Sequence, residues 1–177
     1  MVRRIALSKY TEANFLKINF LDDRVRPLFR EFLYRISIAG IYVRITSGMR
    51  TSEEQDYLYS LGRSRPGNIV TWVNDSNSFH THGVAIDIAP MIRIGPIEFK
   101  AIFTEKYFNQ IDRIANEIGI KHPYSSDRPH YQYTGNKTIS QLKSGQRVQI
   151  PSFESIERPP VLQRAIERMK NDGIIPS

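Results

Sequence analysis

The fold is decided by a ten-residue segment that reads Ser78-Phe79-His80-Thr81-His82-Gly83-Val84-Ala85-Ile86-Asp87. From Val84 to Met91 the residues are mostly apolar, which predicts a buried β-strand. The glycine at position 83 lets the backbone bend sharply just before this strand begins. Asp87 lies in the apolar strand, and we expect it to have a partner, because an unpaired charge is costly to bury.

Helical and extended patterns alternate on both sides of this strand, without the regular βαβ cadence of a doubly wound sheet. Apolar spacing and capping residues predict helices over 26–38, 51–61, 104–118 and 160–172, and a helical turn over 138–142. Alternating β-branched or aromatic runs predict strands over 41–46 and 130–134. We therefore expect an α+β fold with a small, mainly antiparallel sheet and flanking helices. Residues 63–77 are polar and predict a long surface loop, a type of loop that is often functional.

Composition limits the class of protein. The chain has 177 residues, which fits one domain, and its 40% hydrophobic content is enough for a core. There is no cysteine, which excludes disulfides and cysteine-ligated metals. The net charge is +7, and residues 1–50 hold ten Lys or Arg against four Asp or Glu. This balance favours approach to a nucleic acid, an anionic lipid surface or a cell-wall polymer, but an ordinary basic protein fits it equally well.

The first twenty residues do not resemble a secretory signal. Charged residues at Lys9, Glu12 and Lys17 interrupt any apolar stretch, so we predict no signal peptide. No run of residues approaches the length of a membrane span. We therefore expect synthesis in the cytoplasm, and a target outside the membrane would have to be reached by another route.

A second short segment adds to the functional residues of the first. It reads Asp127-Arg128-Pro129-His130, and its proline favours an extended backbone that presents the histidine at the start of a strand. Together the two segments supply imidazoles and a carboxylate that could hold one zinc ion, and a spare carboxylate that could act as a base. The alternative is that Asp87 pairs with an arginine while the histidines line a turn. His82 is interpreted as a supporting or surface group.

The two segments resemble a known family in the pattern Ser78-x-His80-x-x-Gly83-x-Ala85-x-Asp87 followed by Asp127-x-Pro129-His130. The pattern is similar to that of the zinc D,D-peptidases of the cell wall, a VanY-like family with a hedgehog/D-Ala-D-Ala peptidase-like fold. Residues 46–55 and 61–72 resemble in particular the L-alanyl-D-glutamate endopeptidase branch, which is found in phage endolysins. The similarity extends from about residue 40 to residue 135. Residues 120–126 depart from that branch, since they lack its glycine- and tryptophan-rich stretch.

The resemblance implies a set of roles. His80, Asp87 and His130 would ligate zinc, and Asp127 would be the general base. Substrate would be bound by Arg50, Gln55 and Ser78, although the residues alone favour a surface or structural ion pair for Arg50. Residues 1–145 would form the catalytic domain, and residues 146–177 a C-terminal extension with a terminal helix.

The implied function is zinc-dependent hydrolysis of the peptidoglycan stem peptide, at the L-Ala–D-Glu bond. The expected setting is a phage or prophage endolysin, a monomer that reaches the wall after the membrane is permeabilised. A positive surface could assist contact with anionic wall or membrane polymer. The alternatives are a D,D-carboxypeptidase, a virion-associated wall hydrolase and a non-catalytic wall-binding module. No nucleic-acid recognition motif is visible, so nucleic acid is not expected as a partner.

Overall fold

The computed structural model describes residues 12–95 and 98–153, together with Arg164, Glu167 and Asn171. Its elements follow one another as helix α1 (12–19), α2 (Arg26–Ile38), β1 (Tyr42–Ser47), α3 (Ser52–Ser60), a 3₁₀ turn (Asp75–Asn77), β2 (Ala85–Arg93), β3 (Phe99–Ala101), α4 (Glu105–Glu117), β4 (His130–Gln132) and α5 (Ile139–Lys143). None of the helices in these ranges is long and apolar enough to cross a bilayer.

The strand predicted around residues 84–91 is the centre of the sheet. One edge of β2 pairs with β1, and its other edge pairs with β4 near its start and with β3 near its end. All three pairings are antiparallel. This confirms the α+β class with an antiparallel sheet and flanking helices. The short strand β3 was missed by the sequence analysis, since only three of its residues pair.

The core lies between this sheet and the long helices. Helix α2 buries the predicted stripe Leu28, Phe29, Phe32, Leu33 and Ile36, because these positions recur at helical spacing on one face. Tyr131 of β4 is fully buried, and its ring lies 5.3 Å from that of Phe32. Helix α3 begins at the predicted cap, where Thr51 and Glu54 form a reciprocal capping box.

Helix α1 covers the unpaired edge of strand β1, a contact that was not predicted from the sequence. Asn14 is buried, donates from Nδ2 to the carbonyl of Val43 (2.9 Å) and accepts from the amide of Ile45 (2.8 Å). One side-chain amide thus occupies a donor and an acceptor of β1 that would otherwise be open.

The chain after residue 145 continues to contact the core. Val148 is buried there, and the hydroxyl of Tyr133 donates to the carbonyl of Gln149 (2.9 Å). The domain boundary near residue 145 stays a prediction, although the packed structure extends beyond it to Phe153. The terminal helix predicted over 160–172 lies largely outside the described residues. Of that segment Arg164, Glu167 and Asn171 are described, and they are helical and exposed.

The turn at Gly83 fits closely against the segment that follows α1. Gly83 has a φ of +65°, and a Cβ added there would lie 2.7 Å from the amide nitrogen of Asp22. That amide donates to the carbonyl of Gly83 (3.0 Å), so the two segments cannot easily separate. The predicted need for glycine is therefore both conformational and steric.

We expect Gly83→Ala to lower the free energy of unfolding by about 3 kcal/mol, because it combines a left-handed backbone with a clash against another backbone segment. Gly40→Ala is the matched control, since Gly40 has a φ of +76° but open space around its Cα. It should cost only about 1 kcal/mol. Urea unfolding of both variants measures the difference, and equal losses would contradict the steric account.

Candidate metal centre and active site

Three side-chain atoms from three parts of the chain converge on one point. His80 Nε2, Asp87 Oδ1 and His130 Nδ1 lie 3.2 Å from one another in each of the three pairings. A tetrahedral zinc ion with bonds of about 2.0–2.1 Å separates its ligand atoms by about 3.3 Å. Among the described residues, these three form the group that could hold a metal ion.

The histidine protons point away from this centre. His80 Nδ1 lies 2.8 Å from the carbonyl oxygen of Gly48, and His130 Nε2 lies 2.9 Å from Gln132 Oε1. Because both oxygens can only accept, each imidazole donates its outer N–H and turns a lone pair toward Asp87. When both rings are neutral, the two ring nitrogens and the Asp87 oxygen are three acceptors that face each other with no donor among them. A cation placed between them would satisfy all three.

The electrostatics agree with this description. Without a cation, protonated imidazoles can take its place and donate to Asp87: burial by itself would raise the pKa of Asp87, but such hydrogen bonds from His130 and His80 and the charges of His80 and Arg50 hold it well below its usual range. Burial would lower the pKa of His130, but hydrogen bonds with Asp87 and Gln132 and the charges of Asp87 and Asp127 outweigh it and raise that pKa. The carboxylate of Asp87 is therefore kept ionised, and it favours a positive charge at the histidine nitrogens that face it.

The convergence follows from sheet register and one turn. Asp87 of β2 is the paired neighbour of His130 in β4, so the pairing itself brings these two side chains together. His80 comes from the turn before β2, where its carbonyl accepts from the amides of Gly83 (3.0 Å) and Arg50 (3.2 Å). The segment after β1 therefore holds the third ligand candidate in place.

Arg50 holds the second oxygen of Asp87. Its Nη2 donates to Asp87 Oδ2 (2.8 Å), its Nε to Ser47 Oγ (2.8 Å) and its Nη1 to Gln55 Oε1 (3.0 Å). The arginine pairing expected in the alternative interpretation is thus present beside the converging histidines. Three of the five guanidinium N–H groups are used in this way, and a role in binding substrate stays a prediction.

Gln55 and Ser78 lie behind Arg50, out of contact with solvent. Gln55 is fully buried, and its Oε1 also accepts from the hydroxyl of Ser78 (3.2 Å). Ser78 in turn accepts from the amide of His80 (3.3 Å). The predicted substrate-binding role of both residues stays untested, and their contacts give them a supporting role for Arg50 and His80.

Asp127 is placed as a free carboxylate near the ligand group. It is exposed, it lies outside the group that could hold a metal, and its charge acts on His130. Its backbone amide donates to the carbonyl of Tyr124, and its carbonyl accepts from the amide of His130 (3.0 Å each). The turn therefore fixes the position of Asp127 relative to His130.

Arg128 fastens this turn to helix α4 and was missed by the sequence analysis. Its guanidinium donates to Asp112 (2.9 Å) and Asn109 (3.1 Å), pairs with Glu105 (2.9 Å) and contacts His122. The partners on helix α4 lie at least 16 residues away in the chain, so local sequence carries no signal of them. Gln132 was also missed, although a signal exists, because residues two apart in a strand share a face.

His82 remains outside the centre, as expected. It is partly buried and is not a member of the group that could hold a metal. Burial and the charge of Lys143 lower its pKa, against the opposing effect of Asp75.

A cavity of about 420 Å³ borders the segment after β1. Its lining includes Lys17, Phe20, Met49, Arg50 and Tyr57, but none of the three ligand candidates. It is therefore a space beside the metal group, with Arg50 between the two.

We expect Gln132→Met to weaken binding of Zn²⁺ roughly 10- to 100-fold, because His130 would lose the acceptor that orients its ring. Gln110→Met, on the exposed face of α4, is the control and should leave the affinity unchanged. Competition against a zinc chelator measures both. Equal affinities in the two variants would show that Gln132 does not orient the ligand.

Comparison with known proteins shows a family match and a similar relative. Residues 18–136, which include all the candidate site residues named above, match the VanY family, described as D-alanyl-D-alanine carboxypeptidase. The Bacillus subtilis (strain 168) peptidoglycan L-alanyl-D-glutamate endopeptidase CwlK is 48% identical over 58 residues. That match spans 33% of this chain and only 35% of the relative.

Two solved structures are similar in shape. A mutant of the vancomycin resistance D,D-pentapeptidase VanY, in complex with Zn(II), has a TM-score of 0.49 and 20% identity over 73% of this chain and 80% of its own. The Serratia marcescens L-Ala D-Glu endopeptidase ChiX has a TM-score of 0.47 and 20% identity, and the match covers 70% of this chain and 87% of ChiX. Since the family match covers well over half of the sequence, the chain belongs to the VanY family.

Proposed function

We propose that this chain is a zinc-dependent peptidase that hydrolyses an amide bond of the peptidoglycan stem peptide. The observation that supports it most is the set of three converging acceptors, His80 Nε2, Asp87 Oδ1 and His130 Nδ1, with the free carboxylate of Asp127 close by. Catalytic zinc sites have three protein ligands and leave a position open, and the histidine and aspartate donors present suit zinc.

The chemistry divides between the ion and the chain. Zinc, when bound, would polarise the scissile carbonyl and lower the pKa of a water molecule. Asp127 would accept the proton of the attacking water and return it to the leaving nitrogen. Its exposure suits this role, because the proton acceptor must be reachable by water and substrate. Arg50 would keep Asp87 ionised as a ligand, and its remaining N–H groups are available to a substrate carboxylate.

For the bond, we propose L-Ala–D-Glu as the first candidate. The support is the resemblance of residues 46–72 to the endopeptidase branch and the name of the 48%-identical relative. The second candidate is removal of a terminal D-Ala, which the description of the VanY family favours.

The endolysin setting, with action on the wall after membrane permeabilisation, belongs to the same proposal and is supported by the same resemblance. We also propose that the protein acts as a monomer. The net charge of +7 supports contact with anionic wall polymer.

Product analysis decides between the two bonds. Digestion of purified sacculi with zinc-loaded protein should release peptides that begin with D-Glu and leave L-Ala on the glycan, as identified by mass spectrometry. Release of free D-Ala with L-Ala–D-Glu intact would reassign the enzyme to carboxypeptidase activity.

The variant Asp127→Asn tests the role of the base separately from the role of the metal ligands. We expect this variant to keep its zinc and to lose turnover by about 10²- to 10⁴-fold, because it removes proton transfer alone. His130→Ala should lose both, and Asp23→Asn, at an exposed carboxylate beside Arg24, should change neither. Zinc content and the rate of sacculus hydrolysis are measured on each. Loss of zinc from Asp127→Asn would contradict the assignment of this residue as a free base.

A further inference from the structure

Four exposed apolar side chains lie in helix α3 and in the loop that follows it. They are Tyr57, Ile69, Val70 and Trp72, which we call the Trp72 platform. Their exposures are 51%, 42%, 58% and 80%. Apolar groups exposed together in this way commonly mark a binding surface.

The platform is held in a fixed shape by its own loop. Arg63 donates to the carbonyls of Tyr59 (2.6 Å) and Thr71 (3.1 Å), and its guanidinium lies 4.0 Å from the Tyr59 ring centre and 5.6 Å from that of Trp72. Gly62 allows close approach, since an added Cβ would lie 2.8 Å from the amide of Ile69. A surface ordered in advance binds a partner without paying the cost of ordering.

Hydrogen bonds connect the platform to the ligand group. Gln55 Nε2 donates to the carbonyl of Val73 (2.7 Å) and to Thr71 Oγ1 (3.3 Å), the two residues that flank Trp72. The other end of the same amide accepts from Arg50, which binds Asp87. The two residues that flank Trp72 are thus joined to a candidate metal ligand through only two side chains, those of Gln55 and Arg50.

The charges around the platform favour a neutral partner. Between Tyr57 and Asn74 the ionised residues are Arg63 and Arg65, and both guanidinium groups lie over aromatic rings. The adjoining helix α3 supplies Glu53, Glu54 and Asp56. This mixed charge would repel as well as attract a polyanion or an anionic membrane. A partner with flat apolar faces and uncharged polar edges, such as a pyranose ring, suits it better.

We propose that the Trp72 platform binds the glycan strand of peptidoglycan, with a sugar ring packed on the exposed indole. This inference rests on the proposed function and extends it from the scissile bond to the polymer. The first stem residue, L-Ala, is joined to the lactyl group of N-acetylmuramic acid. Cleavage of L-Ala–D-Glu therefore places a sugar about one residue, roughly 3.5 Å plus the lactyl link, from the metal. The terminal D-Ala bond lies several residues farther from the strand and would not require such a platform.

Trp72 is the only tryptophan of the chain, so its fluorescence reports on the platform directly. Titration of the full chain with a peptide-free oligomer of alternating N-acetylglucosamine and N-acetylmuramic acid should change the emission in a saturable way. No change with the oligomer would overturn the proposal. A change produced instead by phosphatidylglycerol vesicles would also overturn it and would assign the platform to a lipid surface.

Kinetics provide the second test. Trp72→Ala should raise KM about tenfold on a stem peptide linked to the glycan and leave KM for the free stem peptide unchanged, because stacking is lost only with the linked substrate. Phe103→Ala, at another exposed aromatic residue, is the matched control and should change neither. Equal effects of Trp72→Ala on both substrates would overturn glycan binding. If the wild type cleaves neither, the proposed function fails, while the fluorescence titration still decides this inference.

Discussion

The partly buried carboxylate of Asp87 is the constraint on which the rest of the site depends. Its backbone pairs with Ser47 on one side and His130 on the other, so it sits where three strands meet. Its two oxygens have different partners: Oδ1 faces the two imidazoles and Oδ2 receives Arg50. A charge removed from most of its water is stable only when its hydrogen-bonding capacity is filled. Arg50 supplies half of that requirement, and a cation held between the two histidines would complete the other half.

The structure separates the groups that must be rigid from the group that must be accessible. The ligand candidates lie at the end of the central sheet, where strand pairing and buried acceptors fix their orientation. Asp127 lies on an exposed turn, but that turn is tied to helix α4 through Arg128. In the proposed mechanism Asp127 is the proton acceptor, and such a group on a loop is useful only if its distance from the reacting atoms is maintained. The Arg128 contacts with Asp112, Glu105 and Asn109 provide this.

Much of this architecture could be predicted from sequence because its signals are local. The alternation around Ile86, the cap at Thr51 and the glycine stop of helix α2 each act over a few residues. Family motifs supplied the pairing of distant segments, which spacing alone left open between a metal site and an ion pair. Features that depend on long-range contacts were missed. Asn14 satisfies β1 across 29 and 31 residues, and Arg128 finds partners on α4 that no local pattern connects to it. The burial of Gln55 was also unexpected, since a polar helix residue is usually exposed.

X-ray absorption at the zinc edge tests the central claim most directly. The purified protein should bind one zinc per chain. The spectrum should show two imidazole ligands within a shell of four nitrogen or oxygen atoms at about 2.0–2.1 Å. A spectrum with one imidazole or none, or protein that cannot be loaded with stoichiometric zinc, would contradict the convergence of His80, Asp87 and His130 on a metal ion.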